Sequence, residues 1–152
     1  MSTPEEKLAS MGLAVPEVAK PVAAYVPAVR SGNHVFTSGQ LPMRSGQLIA
    51  TGKVGADVSV ETAVECAQQC ALNALAAIRA EIGELSAIKK VVKVVVFVAS
   101  DPSFTGQPGI ANGASELLGT VFGDVGVHSR SAVGVAVLPL DAPVEIELMV
   151  EV

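Results

Sequence analysis

The stretch 91–98, VVKVVVFV, carries β-branched and aromatic side chains at both odd and even positions, interrupted only by Lys93. A half-buried strand alternates apolar with polar residues, whereas a strand apolar on both sides runs where both faces of its sheet are covered. The chain therefore needs a sheet with this strand, expected over 88–100, near its centre. It also needs material on each face of that sheet.

Cover for one face is present in the chain. Over Val60–Ile82, residues Val60, Ala63, Val64, Ala67, Ala71, Ala74, Leu75, Ile78 and Ile82 repeat at helical spacing, while Glu61, Glu65, Gln68, Gln69 and Arg79 take the opposite side. A second helix is expected over 110–122, ended by Gly123. Two such helices cover only one face of a sheet of about five or six strands. The other face falls to another subunit, because obligate interfaces resemble a domain core cut in half. The composition agrees: half of the residues are hydrophobic and the mean hydropathy is +0.51.

The other elements follow from local signals. Thr3, Pro4, Glu5 and Glu6 read as the cap, first position and acidic first turn of a short helix that stops at Gly12. Strands are expected over 25–29 and 34–38, joined by the turn Arg30-Ser31-Gly32-Asn33, with a further one near 47–50 after Ser45-Gly46. The last two strands, 129–138 and 143–152, read as a hairpin closed around Leu140-Asp141-Ala142. In the final strand Val144, Ile146, Leu148, Val150 and Val152 alternate with Glu145, Glu147, Met149 and Glu151, giving one buried face. In the strand before it Val133, Val135 and Val137 are expected to face the core, leaving Arg130, Ala132, Gly134 and Ala136 on the other face. No repeat or linker divides the chain, which reads as a single domain over 1–152 with an N-terminal helix and connector over 1–20.

Several function classes are disfavoured. The net charge is −5, and five aromatics (one Tyr, four Phe) leave little to stack on bases, so nucleic acid is not an expected partner. No apolar run reaches the ~20 residues of a membrane helix, and the N-terminus lacks the basic and apolar regions of a signal peptide. A cytoplasmic protein with no membrane partner is expected. Cys66 and Cys70 share a helix face at a spacing poor for a disulfide, and no metal site is expected; they read as buried residues of a reducing compartment.

Candidate site residues are few. Arg130 is the only charge in RSAVGVAVLP, and with Ala132 and Gly134 beside it a guanidinium would stand over a floor of small residues, offering paired N–H donors to a carboxylate. Read alone, a strand arginine such as Arg130 is more often a surface cation than a ligand, and Glu145 more often a solvated strand charge. Tyr25 is a packing aromatic, and Ser38-Gly39-Gln40 a strand-ending turn.

The order PVAAYVPAVRSGNHVFTSGQLP, then VVKVVVFVAS, then RSAVGVAVLPLDAPVEIELMVEV, resembles the YjgF/RidA family, also called endoribonuclease L-PSP. The resemblance runs from about Pro21 to Val152, most specifically at the SGQ-x-P turn (38–42) and the R-S-x-V…LP…VE-x-E ending. It implies an α+β, chorismate-mutase-like fold: a mixed sheet with two main helices on one face, assembled as a homotrimer with ligand sites between subunits. It also implies hydrolysis of reactive 2-imino or enamine acids to 2-keto acids and ammonia. By the same resemblance Arg130 grips the substrate carboxylate, and Tyr25, Ser38, Gly39, Gln40, Asn112 and Glu145 complete the cleft; the mechanism expected from these residues has Glu145 orient the attacking water and a backbone carbonyl near Ala132 accept a hydrogen bond from the iminium nitrogen. No metal or organic cofactor is implied, and the partner is a small carboxylate. Two departures stand out: Ala132 occupies a position where the deaminases usually carry cysteine, and the loop 103–113 is longer than usual. They keep open a binding protein for small carboxylates such as 2-keto acids. A ribonuclease is less well supported, since the chain is acidic and lacks a paired histidine and lysine.

Overall fold

The computed structural model describes residues 2–19, 21 and 23–152. Met1 and Lys20, part of the expected N-terminal helix and connector, lie outside the described residues, as does Val22. Helix α1 (Pro4–Ser10) is closed by a reciprocal cap: the Thr3 hydroxyl accepts from the Glu6 amide at 3.1 Å, and the Glu6 carboxylate accepts from the Thr3 amide at 2.9 Å. Strands β1 (Ala28–Ser31) and β2 (His34–Thr37) form a tight antiparallel hairpin. Its first strand begins three residues later than the sequence pattern suggests, so Tyr25 lies in the preceding bend. A two-stranded ribbon, β3 (Met43–Arg44) and β4 (Gln47–Leu48), leads into α2.

Helix α2 (Val60–Ile82) has the predicted bounds, capped by the Ser59 hydroxyl and ended at Gly83. Gln69, expected on its wet side, is buried: its amide donates to Asn73 Oδ1 at 3.1 Å and accepts from Arg44 Nε at 3.2 Å. The Asn73 amide donates to the Leu41 and Met43 carbonyls, so this polar strip ties α2 to the chain around β3 and satisfies side chains that would otherwise be costly to bury. Strand β5 (Lys90–Ala99) follows, then α3 (Gln107–Phe122), which starts one turn earlier than its periodicity indicates. Strands β6 (Ser129–Val135) and β7 (Val144–Glu151) complete the chain.

The five-stranded sheet is mixed, in the order β1-β2-β7-β5-β6. The expected β6–β7 hairpin is absent. β6 pairs in parallel with β5, and β7 pairs antiparallel with β5 from the other side, so the two strands are separated by the central one. This arrangement reverses the expected facing of β6. Arg130 is paired with Val94, Ala132 with Val96 and Gly134 with Val98, and the three valines are buried under the helices. Arg130, Ala132 and Gly134 therefore point to the helix side, whereas Val133 pairs with Phe97 on the other face and is 44% exposed.

Both main helices lie on that one side. Val94, Val96 and Val98 of β5 and Val144, Ile146, Leu148 and Val150 of β7 meet Cys70, Leu75, Ile78, Ile110, Leu117 and Leu118 of the helices in one buried cluster. The opposite face carries Val29, Phe36, Val95, Phe97, Val133 and Met149, all exposed or half-buried, and among the described residues no layer lies over it. Both cysteines are free and buried; burial pushes the Cys66 thiol up to about 11 and that of Cys70 well above its ordinary value. Among the described residues no helix is long and apolar enough to cross a membrane.

The α2–α3 contact depends on one glycine. A Cβ at Gly113 would meet the Val64 carbonyl oxygen at 2.3 Å, backbone that cannot swing aside. Gly113→Ala should destabilise the fold by about 1–3 kcal/mol. Gly119, exposed in the same helix with nothing within 4 Å of an added Cβ, is the control: Gly119→Ala should stabilise by roughly 0.5–1 kcal/mol. Chemical denaturation of both variants checks the pair, and equal effects would show that the close approach is not what Gly113 permits.

Candidate active site

The sequence-predicted site residues fall into two groups. Tyr25, Gly39, Gln40 and Glu145 line one cavity of about 680 Å³ at the end of the sheet where the chain leaves β2. Ser38 stands beside it, its hydroxyl donating to the Val26 carbonyl at 2.6 Å and its amide to the Pro27 carbonyl at 2.8 Å. These bonds hold the bend bearing Tyr25 against the SGQ turn.

Strand pairing explains why this end is open. β2 follows β7 as far as Phe36 opposite Met149, and pairing resumes only at Gln40 opposite Ile146, with Gln40 N–H donating to the Ile146 carbonyl at 2.7 Å. Across the gap the Thr37 hydroxyl accepts from the Leu148 amide at 2.9 Å, leaving no orphan donor. Gly39 lies in the gap, and a Cβ there would sit 2.7 Å from Glu145 Oε1. Glycine is what lets the carboxylate lie across the turn.

Glu145 is half-buried on the open face of the sheet, in register with Phe97. Burial holds its carboxyl above the usual range, and the neighbouring Glu147 carboxylate adds to the effect. A carboxyl shifted in this direction at a cavity is better suited than an ordinary one to taking and returning a proton.

The second group is Arg130, Asn112 and Ala132. Arg130 Nη1 donates to Asn112 Oδ1 at 2.8 Å and to the Ser115 hydroxyl at 3.1 Å, both on α3. Ala132, two residues along the same face of β6, packs half-buried against the core. Sequence reasoning missed both Ser115 and His128. His128 Nδ1 lies 2.6 Å from the Gly126 carbonyl, which can only accept, so in the neutral ring Nδ1 bears the proton and Nε2 accepts from Ser115 at 2.9 Å. The bonds run in one direction, from Arg130 through Ser115 to His128 and the backbone, and hold one edge of the guanidinium. Its Nη2 and Nε make no hydrogen bond among the described residues.

The two groups do not meet within one chain. Arg130 belongs to the sheet row with Val94 and Leu148, and Glu145 to the row with Phe97 and Val133. Three residues at ~3.4 Å and two strand spacings at ~4.8 Å put their α-carbons about 14 Å apart, with side chains leaving opposite faces. One small molecule therefore cannot touch both within one chain. Among the described residues no three His, Cys, Asp or Glu side chains gather as a metal site would require.

The YjgF/chorismate mutase-like family model matches residues 5–152. Protein TCP17 of Trypanosoma cruzi is 45% identical over 145 residues, covering 95% of this chain and 91% of that protein. A 2-iminobutanoate/2-iminopropanoate deaminase of Dermatophagoides farinae is 33% identical over 140 residues, covering 91% and 93%. The crystal structure of Atu1372, a protein of unknown function from Agrobacterium tumefaciens, superposes with a TM-score of 0.93 at 46% identity, covering 99% of this chain and 93% of that one.

The shift at Glu145 carries a stability consequence. A carboxyl whose pKa is raised by folding favours the folded state only while protonated; that contribution is lost as pH rises through the folded value, and the ionised group is a net cost at pH 7. Glu145→Gln should therefore raise the melting temperature at pH 7, by an amount that shrinks in acid as Glu145 takes up its proton. A lower melting temperature at pH 7 would show that the ionised carboxylate stabilises the fold.

Proposed function

The chain belongs to the YjgF/RidA family, and from that membership and the two half-sites we propose that it hydrolyses 2-imino or enamine acids to 2-keto acids and ammonia in a cleft between subunits. The observation that carries this reading is the pairing of a half-tethered guanidinium with a desolvated carboxylate that one chain holds apart. The deaminase similarity at 33% identity supports the chemistry. The open sheet face, with Phe97 and Val133 in a row beside Glu145, supports a homotrimer in which a neighbouring subunit brings its Arg130 to the Glu145 cavity. The free, buried cysteines suit a reducing compartment such as the cytosol.

In this mechanism the unengaged edge of Arg130 binds the substrate carboxylate. A backbone carbonyl near Ala132 accepts a hydrogen bond from the iminium nitrogen. Glu145 takes a proton from water as the water oxygen bonds to the iminium carbon and returns it to nitrogen; as the C–N bond breaks, the hydroxyl proton passes through Glu145 to the departing ammonia, leaving the carbonyl and ammonium. The iminium carbon is already electrophilic, so positioning and one proton-handling carboxylate suffice.

Ala132 favours a second reading. Without a thiol at that position the same arginine would serve a protein that binds 2-keto acids without turnover, and release of keto acid from freshly generated 2-iminobutanoate separates the two.

Arg130→Ala should leave assembly and melting temperature nearly unchanged, because its two tethers are partly exposed. It should weaken 2-ketobutyrate binding by the ~1.5–3 kcal/mol of a charge-assisted hydrogen bond, roughly ten- to 150-fold by calorimetry. Arg130→Lys keeps the charge without the paired donors and should recover only part. Equal binding by wild type and Arg130→Ala removes the clamp. Arg130→Ala and Glu145→Ala proteins, each inactive, should regain activity when mixed under subunit exchange; no recovery despite proven exchange would count against a shared cleft.

A further inference from the structure

The Glu145 cavity is far larger than its polar residues require. Gln40 and Glu145 mark one part of it and Glu17, Ser45 and Asn73 add polar atoms elsewhere, but most of the remaining wall is apolar: Pro16 and Val18 from the N-terminal connector, Leu41 and Met43 after the SGQ turn, and Leu140 from the β6–β7 connection. About 680 Å³ lies in the range that takes drug-sized ligands, more room than a three- or four-carbon acid fills.

Leu140 is an independent pointer. Its backbone is left-handed, φ 60°, a conformation that disfavours any side chain with a Cβ, and Asp141 beside it has φ 58°. The turn is held there from several sides: Gly52 N–H donates to the Asp141 carbonyl at 2.9 Å, Asp141 N–H to the Leu138 carbonyl at 3.1 Å, and Lys53 pairs with the Asp141 carboxylate. Yet Leu140 is 62% exposed and adds nothing to the core cluster. A strained turn is maintained to present an apolar side chain to the cavity.

We infer that the site is selective for 2-imino and 2-keto acids with a long apolar side chain, whose tail lies along Val18, Leu41, Met43 and Leu140 while the carboxylate is held by the Arg130 that a neighbouring subunit brings to the polar part. This rests on the reading of the site given above and names its substrate class.

Calorimetric titration of pyruvate, 2-ketobutyrate, 2-ketopentanoate and 2-ketohexanoate into the full-length protein tests it. Each added methylene should tighten binding about fourfold, or roughly 15-fold from 2-ketobutyrate to 2-ketohexanoate. Asparagine tolerates the left-handed region, so Leu140→Asn should keep the melting temperature while flattening this dependence. Val18→Asn should flatten it too. A flat or falling series with short imino acids still hydrolysed overturns the inference and leaves the hydrolase reading intact. A rising series without turnover of the corresponding imino acids upholds the inference and removes the hydrolase. No binding by any acid overturns the inference, and, where no imino acid is turned over either, the hydrolase reading with it.

Discussion

The whole arrangement depends on the coverage of β5. Val94, Val96 and Val98 anchor the two helices on one side, and Val95 and Phe97 on the other side are left without a layer. At about 25 cal/mol per Å² of apolar surface, an open face of this kind is a standing incentive for association. It is also the face on which Glu145 emerges. Surface that favours assembly and the carboxylate that favours chemistry thus lie on one strand row, so whatever packs on the face also fixes how dry Glu145 becomes.

Glu145 shows how local backbone design serves a group that costs stability. A fully paired β2–β7 ladder would place a side chain where the Glu145 carboxylate lies. The break between Phe36 and Gln40, with the Thr37 hydroxyl replacing a missing ladder acceptor and Gly39 carrying no Cβ, clears the space without orphaning the Leu148 amide. The penalty falls on ionisation of the carboxyl and not on the ladder, and a group disfavoured as an ion is the one that can return a proton.

Much of the frame was legible in the sequence because it rests on contrast between apolar and polar residues. The alternation of β7, the i, i+3, i+4 spacing of α2 and the Thr3–Glu6 capping box each leave one physical solution. β6 lacks that contrast. In RSAVGVAV both parities are small or apolar, so periodicity cannot choose a face; pairing with β5 chose it, placing Ala132 and Gly134 under α3 and Val133 outside. Sequence proximity to β7 favoured a hairpin, which the insertion of β5 between them overrides. The site was half legible for a similar reason. Residue types and a family-like order marked Arg130 and Glu145, whereas the Ser115–His128 tether spans thirteen residues and a change of element, and the cavity walls come from a proline-bearing connector with no period to read.

Arg130 and Glu145 stand at opposite faces of one chain, so a site that uses both exists only where chains meet. Assembly and ligand binding are then linked: a ligand that bridges two subunits favours the assembled state by its binding free energy, and assembly raises its affinity by the same factor. The tether of Arg130 to Asn112 and Ser115 matters in this setting. A guanidinium already fixed along one edge loses less rotamer entropy when the second edge closes on a carboxylate, so more of the bond energy remains for holding the ligand. In the proposed shared cleft, the hydrogen bonds that tie Arg130 to α3 would therefore act on a ligand held mostly by the neighbouring chain.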